Sequence, residues 1–142
     1  MCRHLAHARR FSPKATGRLW SARTAMEKRS VSGYRDAIEH LDAVLSESAS
    51  LSLALALKAE ALASQAIHGS RPRPNLEQAR VFAERAIEPA RPAWQAWLAR
   101  GIVQQALEWK WADAAESYRK AIEMGGNEAA AHVWHTSFVV AR

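Results

Sequence analysis

From about residue 18 onward, apolar residues recur every three or four positions, and no strand-like alternation of apolar and polar residues persists. Alanine is abundant and runs of β-branched residues are scarce, which favours helices over strands. Glycine and proline clusters interrupt the pattern and mark the ends of elements. The pattern predicts seven helices, over residues 18–29, 34–47, 51–67, 75–88, 92–108, 111–124 and 128–141. The predicted fold class is therefore all-α.

Three of the predicted helices share one spacing of side chains, which we call the alanine motif. A large residue is followed by alanine at the third position, a packing residue four positions later, and a small residue three positions after that. The shared alanines are Ala37, Ala79 and Ala114, with separations of 42 and 35 residues. A period of about 34 residues with insertions of eight and one explains both separations. The motif therefore predicts a solenoid of helix pairs.

Packing explains why the alanine motif recurs. Where two helices cross, small side chains let the backbones approach, and bulky side chains on either side fill the remaining space. Helices that precede the motif are expected to carry a small residue of their own at the crossing. The predicted repeat-packing residues are Ala37, Leu41, Ala59, Ala79, Ala86, Trp97, Gly101, Trp111, Ala114, Tyr118 and Ala121.

This set resembles the tetratricopeptide repeat (TPR), a helix–turn–helix repeat with the pattern Trp, Leu-Gly, Tyr, Ala, Phe, Pro. The resemblance covers about residues 20–141 and implies three repeats plus a terminal helix. Ala83 departs from the pattern where an aromatic residue is usual, and the terminal proline is missing or displaced. A generic helical bundle is the alternative. The best-matching repeat contains Trp97, Gly101, Ala114, Tyr118 and Ala121.

A narrower resemblance points to one class of repeat arrays. Residues 108–114, 118–123 and 131–134 resemble the arrays of large bacterial regulators, in which repeats accompany a winged-helix DNA-binding, adenylate cyclase or kinase domain. This resemblance implies an alternative function, as the sensory or regulatory segment of a transcriptional regulator or adenylate cyclase.

In such arrays the first helix of each pair lines a concave surface. Positions of these helices that lie off the packing stripe are predicted to form a groove for a partner. The leading interpretation is a non-catalytic scaffold or adaptor that binds a protein or peptide segment there. The groove residues mix polar and apolar types without a dominant charge. They are Glu60, Gln95, Leu98, Ile102, Gln105 and Ser137.

The sequence contains no recognisable catalytic constellation. His132 and His135 lie three positions apart on the last predicted helix, but no third or fourth ligand follows at a spacing typical of zinc sites. No glycine-rich phosphate loop is present. We therefore predict no catalytic residue, metal or cofactor. Cys2, the one cysteine, has no internal disulfide partner, which favours a cytoplasmic protein.

Composition and charge refine this picture. A chain of 142 residues, with 49% hydrophobic and 24% charged residues, suits one globular domain. Residues 1–30 carry eight basic residues against one acid, whereas the rest of the chain is nearly neutral. We expect a basic, disordered arm over residues 1–17 and the repeat domain over residues 18–142. The arm has two further interpretations, contact with nucleic acid or an anionic surface, and an organellar transit peptide.

The last predicted helix, residues 128–141, has no second helix to complete its repeat. An uncapped solenoid leaves apolar surface in water. The helix is therefore itself a cap, or the array continues in a longer protein, or two chains associate there. We expect a fragment of a longer protein. No stretch is apolar enough to span a membrane.

Overall fold

A computed structural model describes residues 13–48, 51–69, 72–89 and 92–125. Within these ranges the chain forms helices and no strands, which confirms the all-α prediction. The predicted helix over residues 128–141, with His132, His135 and Ser137, lies outside the described residues, as does Cys2. The helices are α1 (Pro13–Met26), α2 (Val31–Glu47), α3 (Ser52–His68), α4 (Pro72–Ile87), α5 (Trp94–Ala106) and α6 (Trp111–Gly125).

Helix α1 begins earlier than the sequence pattern indicated. The predicted start at residue 18 is wrong, because Ala15 and Leu19 are both buried and continue the apolar stripe of this helix. Residues 13–17, which we assigned to the basic arm, therefore form the first turns of α1. The helix ends at Met26, and Arg29 follows in the left-handed region with φ 48°.

Helix α4 also begins early, at Pro72 instead of residue 75. Pro72 and Pro74 both lie in its first turn. The first backbone N–H groups of a helix have no partner within the helix, so proline loses nothing there, and its fixed φ suits the helical conformation. Two prolines that suggest a loop in the sequence therefore open a helix.

The helices pack mainly against their neighbours in the chain. Each helix contacts the next one, and α3 additionally packs against α5. The contact between α1 and α3 is slight. Helix α3 lies at the centre, with one face in a core shared with α1 and α2 and another in a core shared with α4, α5 and α6. This double contact explains why 11 of its 17 residues are buried.

Most of the predicted repeat-packing residues lie in these cores. Ala37, Ala79 and Ala114, the shared alanines, are fully buried at helix contacts. Trp97 is partly buried against the core of α3–α6. The packing prediction is wrong for Trp111, which is the first residue of α6 and is 39% exposed. The remaining residues of the set are buried, namely Leu41, Ala59, Ala86, Gly101, Tyr118 and Ala121.

Trp111 contacts Trp109 in the turn between α5 and α6. The two rings meet edge to face, with centroids 5.9 Å apart. Trp109 is 70% exposed and has φ 58°, a conformation that costs a residue other than glycine about 1–2 kcal/mol. The left-handed conformation of Trp109 turns the chain back, so that the Lys110 N–H donates to the Gln104 carbonyl at 2.8 Å. Trp111 therefore belongs to an exposed aromatic pair.

Helices α5 and α6 make a close contact at Gly101. A Cβ on this residue would lie 2.5 Å from Cε1 of Tyr118. Tyr118 is fully buried, and burial raises the pKa of its phenol well above the ordinary range. Its hydroxyl donates to Oε1 of Gln105 at 2.6 Å. The small residue and the large ring therefore form one complementary contact.

None of the described helices combines the length and apolar character needed to cross a lipid bilayer.

Candidate functional site

The predicted groove residues do not form an open surface in the described structure. Leu98 and Ile102 are 0% and 1% exposed and lie in the core between α3, α5 and α6. Glu60 and Gln95 are also buried, and Gln105 is half-buried against Tyr118. The physical reason is that α3, α4 and α6 all pack on α5. The face of α5 that carries Leu98 and Ile102 is therefore covered by neighbouring helices.

The structure instead opens a cleft where α4, α5 and α6 meet. Its volume is about 510 Å³, within the range of 300–1,000 Å³ that is typical of ligand sites. Buried residues line its floor, half-buried residues its walls, and exposed charged residues its rim. The lining residues are Arg80, Ala83, Glu84, Trp97, Arg100, Val103, Gln104, Glu108, Lys110, Asp113, Glu116, Ser117 and Lys120.

The floor of the cleft contains a satisfied pair of polar side chains. Ser117 donates its hydroxyl hydrogen to Oε1 of Gln104 at 2.6 Å, and both residues are buried. This bond joins α5 to α6 directly below the opening. A hydrogen bond between buried groups fixes both side chains, because leaving either one unpaired costs about 1–3 kcal/mol. The floor is therefore a preformed surface.

Trp97 stands between the floor and the rim. Two cations lie over its ring, with Lys120 Nζ 4.4 Å and Arg100 Cζ 5.8 Å from the ring centroid. Neither cation forms an ion pair with a carboxylate of the described residues. A contact between a cation and an aromatic ring at an exposed site is worth about 0.5–1 kcal/mol. A hydrogen bond between charged groups is worth more, about 1.5–3 kcal/mol, so both cations can still bind an anion favourably.

Charges of both signs surround the opening. Four basic and four acidic side chains line the cleft. Lys110 lies 3.7 Å from Glu108, and Glu116 accepts hydrogen bonds from Arg119, whose guanidinium lowers the pKa of that carboxyl. The others have no ion-pair partner in the described part of the chain. These are Arg80, Glu84, Arg100, Asp113 and Lys120.

The indole nitrogen of Trp97 gives a testable prediction. Nε1 is buried and has no hydrogen-bond partner among the described residues. Trp97→Phe removes this unpaired donor and keeps an aromatic ring, so we expect the unfolding free energy to change by less than about 1 kcal/mol. Trp97→Ala, the matched control, removes the ring and is expected to cost about 3 kcal/mol. Urea unfolding measures both, and equal losses would contradict an unpaired donor.

A second polar cluster lies between α2 and α3. Tyr34 is buried, and burial raises the pKa of its phenol. The carboxylate of Glu60 also raises this pKa, whereas a hydrogen bond with Ser64 lowers it in part. The His68 ring lies 5.8 Å from the Tyr34 ring. Glu60 and Ser64 are buried, so this cluster offers little surface to a ligand. Among the described residues, no group of three or more potential ligands could hold a metal ion.

Sequence reasoning missed most of the charged lining of the cleft, because isolated charges on helices usually belong to solvated faces. The sequence signal for a shared face was the helical spacing of these residues. Trp97 and Arg100 lie three positions apart on α5. On α6, Asp113, Glu116 and Lys120 follow one another at intervals of three and four. That spacing places residues on one face but does not show which faces meet.

No known protein family, curated protein or solved structure matches the chain.

Proposed function

We propose that the chain is a TPR-type array of helix pairs that serves as a cytoplasmic, non-catalytic protein-interaction module. The pairs are α1–α2, α3–α4 and α5–α6. The observation that carries the proposal is that α5 packs against both α3 and α4, whereas α3 packs against α2 and only slightly against α1. In an array, the first helix of one pair rests on both helices of the preceding pair, because each repeat buries its apolar face against its neighbour.

The alanine motif supports the same arrangement. Its shared residues Ala37, Ala79 and Ala114 fall on α2, α4 and α6, the second helix of each proposed pair. All three are fully buried. The repeated sequence spacing therefore coincides with a repeated structural position, as a TPR-type array requires.

The partner segment is proposed to bind in the cleft between α4, α5 and α6. Leu98 and Ile102 do not contribute to this surface, since both are buried. The cleft offers a tryptophan whose ring is partly accessible, a preformed polar floor and a charged rim. This arrangement has the anatomy of a protein interface, in which tryptophan and arginine carry much of the binding energy and the rim is polar.

Photo-cross-linking tests the proposal. A benzophenone side chain at Arg80 or Glu84, both exposed at the cleft, should yield the same discrete protein adduct in the cells that make this protein. The same group at Arg35, exposed on α2 outside the cleft, is the matched control and should yield none. Adducts of equal yield at all three positions, or none at the cleft, would count against the proposed function.

A further inference from the structure

We infer that the cleft binds a polypeptide segment of mixed charge, with an acidic side chain directed to Arg100 and Lys120 and a basic one directed to Glu84 and Asp113. This inference rests on the proposed protein-binding function and adds the chemistry of the partner.

The acidic side chain is assigned from the two cations at Trp97. Arg100 comes from α5 and Lys120 from α6, and both lie over the same ring. Both are half-buried, and neither forms an ion pair with a described carboxylate, although Lys120 interacts electrostatically with Glu116, one turn before it on α6. Their long stems allow both charged groups to turn toward one anion, while the indole ring supplies an apolar surface beside it. An aspartate or glutamate side chain fits this combination.

The basic side chain is assigned from the opposite charges of the rim. Glu84 on α4 and Asp113 on α6 line the same cleft and have no ion-pair partner among the described residues. Both are exposed, so a lysine or arginine of the partner reaches them without desolvating its charge completely. Arg80, one turn before Glu84, adds a further cation to the rim, so the α4 side of the cleft carries both signs of charge.

The mixture of charges also decides between classes of partner. A nucleic acid carries a negative charge on every phosphate, and such a regular polyanion would bring phosphates against Glu84 and Asp113. A polypeptide can place opposite charges a few residues apart. The carboxylates therefore favour a protein segment over a nucleic acid at this cleft.

Selection from a display library of random dodecapeptides tests the inference on the whole chain. Enriched peptides are expected to share an aspartate or glutamate with a lysine or arginine a few positions away. Arg100→Gln with Lys120→Gln should weaken their binding by at least about tenfold. The matched control, Lys28→Gln with Arg35→Gln, removes the same charge from exposed positions outside the cleft and should leave binding unchanged.

A charge reversal separates binding from folding. Lys120→Glu should weaken binding of the selected peptide, and replacing the acidic residue of that peptide with lysine should restore it. A variant that had merely unfolded would bind neither peptide, so restored binding supports the inference. Failure of restoration, in a Lys120→Glu variant with the circular dichroism of the original chain, would overturn it.

The remaining outcomes distinguish this inference from the proposed function. In one result, the selected peptides cross-link at position 80 and yet bind the Arg100→Gln, Lys120→Gln variant as tightly as the original chain. That result would overturn the mixed-charge inference and leave the proposed function standing. Oligothymidylate that binds the cleft more tightly than the selected peptides would overturn it in favour of a polyanion. A selection that yields no peptide cross-linking at the cleft would contradict both.

Discussion

Leu98→Glu is expected to unfold the protein. Leu98 is completely buried among α3, α5 and α6, in a core that includes Leu62 and Tyr118. Loss of its packing costs about 2–5 kcal/mol, and a carboxyl group in an apolar site adds a further penalty whether it is ionised or protonated. The sum is comparable with the whole stability of a small domain, about 5–15 kcal/mol. Circular dichroism and urea unfolding measure the effect.

Leu98→Met is the matched control for this experiment. It nearly conserves the volume of the side chain and introduces no charge, so it is expected to cost less than about 1.5 kcal/mol. If the glutamate variant were as stable as the methionine variant, Leu98 would face solvent, and the original groove assignment would be correct after all.

Gly101→Ala is expected to destabilise the protein by about 2 kcal/mol, although alanine is the better helix former. The new Cβ would lie 2.5 Å from Cε1 and 2.6 Å from Cδ1 of Tyr118, and this ring is fully buried. Forcing an extra carbon into a packed core costs about 1–3 kcal/mol, and contacts as short as these place the cost at the upper end, above the gain of about 1 kcal/mol in helix propensity. The midpoint of urea unfolding should therefore fall.

Gly17→Ala provides the same chemical change without the contact. Gly17 lies within α1, and a Cβ there would meet nothing within 4 Å. We expect this variant to gain up to about 1 kcal/mol of stability. In a Tyr118→Leu background, the penalty of Gly101→Ala should shrink, because the obstructing ring is gone. Equal stabilisation by both alanines would contradict the close approach of α5 and α6.

The all-α class and most helix positions could be predicted because both depend on local patterns. The alanine motif needs only the spacing of side chains along one helix, and its alanines are buried in α2, α4 and α6. The early start of α4 is different, since prolines at residues 72 and 74 are typical of both loops and first turns. Helix ends depend on a small balance of backbone terms that composition alone does not resolve.

The candidate site could be predicted only in part, because periodicity shows which residues share a face but not how many neighbours cover it. Leu98 and Ile102 do share a face, but that face is buried. Trp97 is partly buried against the core, and its contact with Lys120 depends on the approach of α6. Such contacts between helices leave no periodic signal in the sequence.

The packing of each helix against its neighbours in the chain has a consequence for the route by which the protein folds. The helix interfaces in the described ranges join elements that are adjacent or next but one in the sequence. Closing short loops loses little entropy, and chains rich in such local contacts cross their folding barrier rapidly. Each helical hairpin can therefore form while the ribosome is still adding the next one, which shortens the time during which apolar surface is exposed to aggregation.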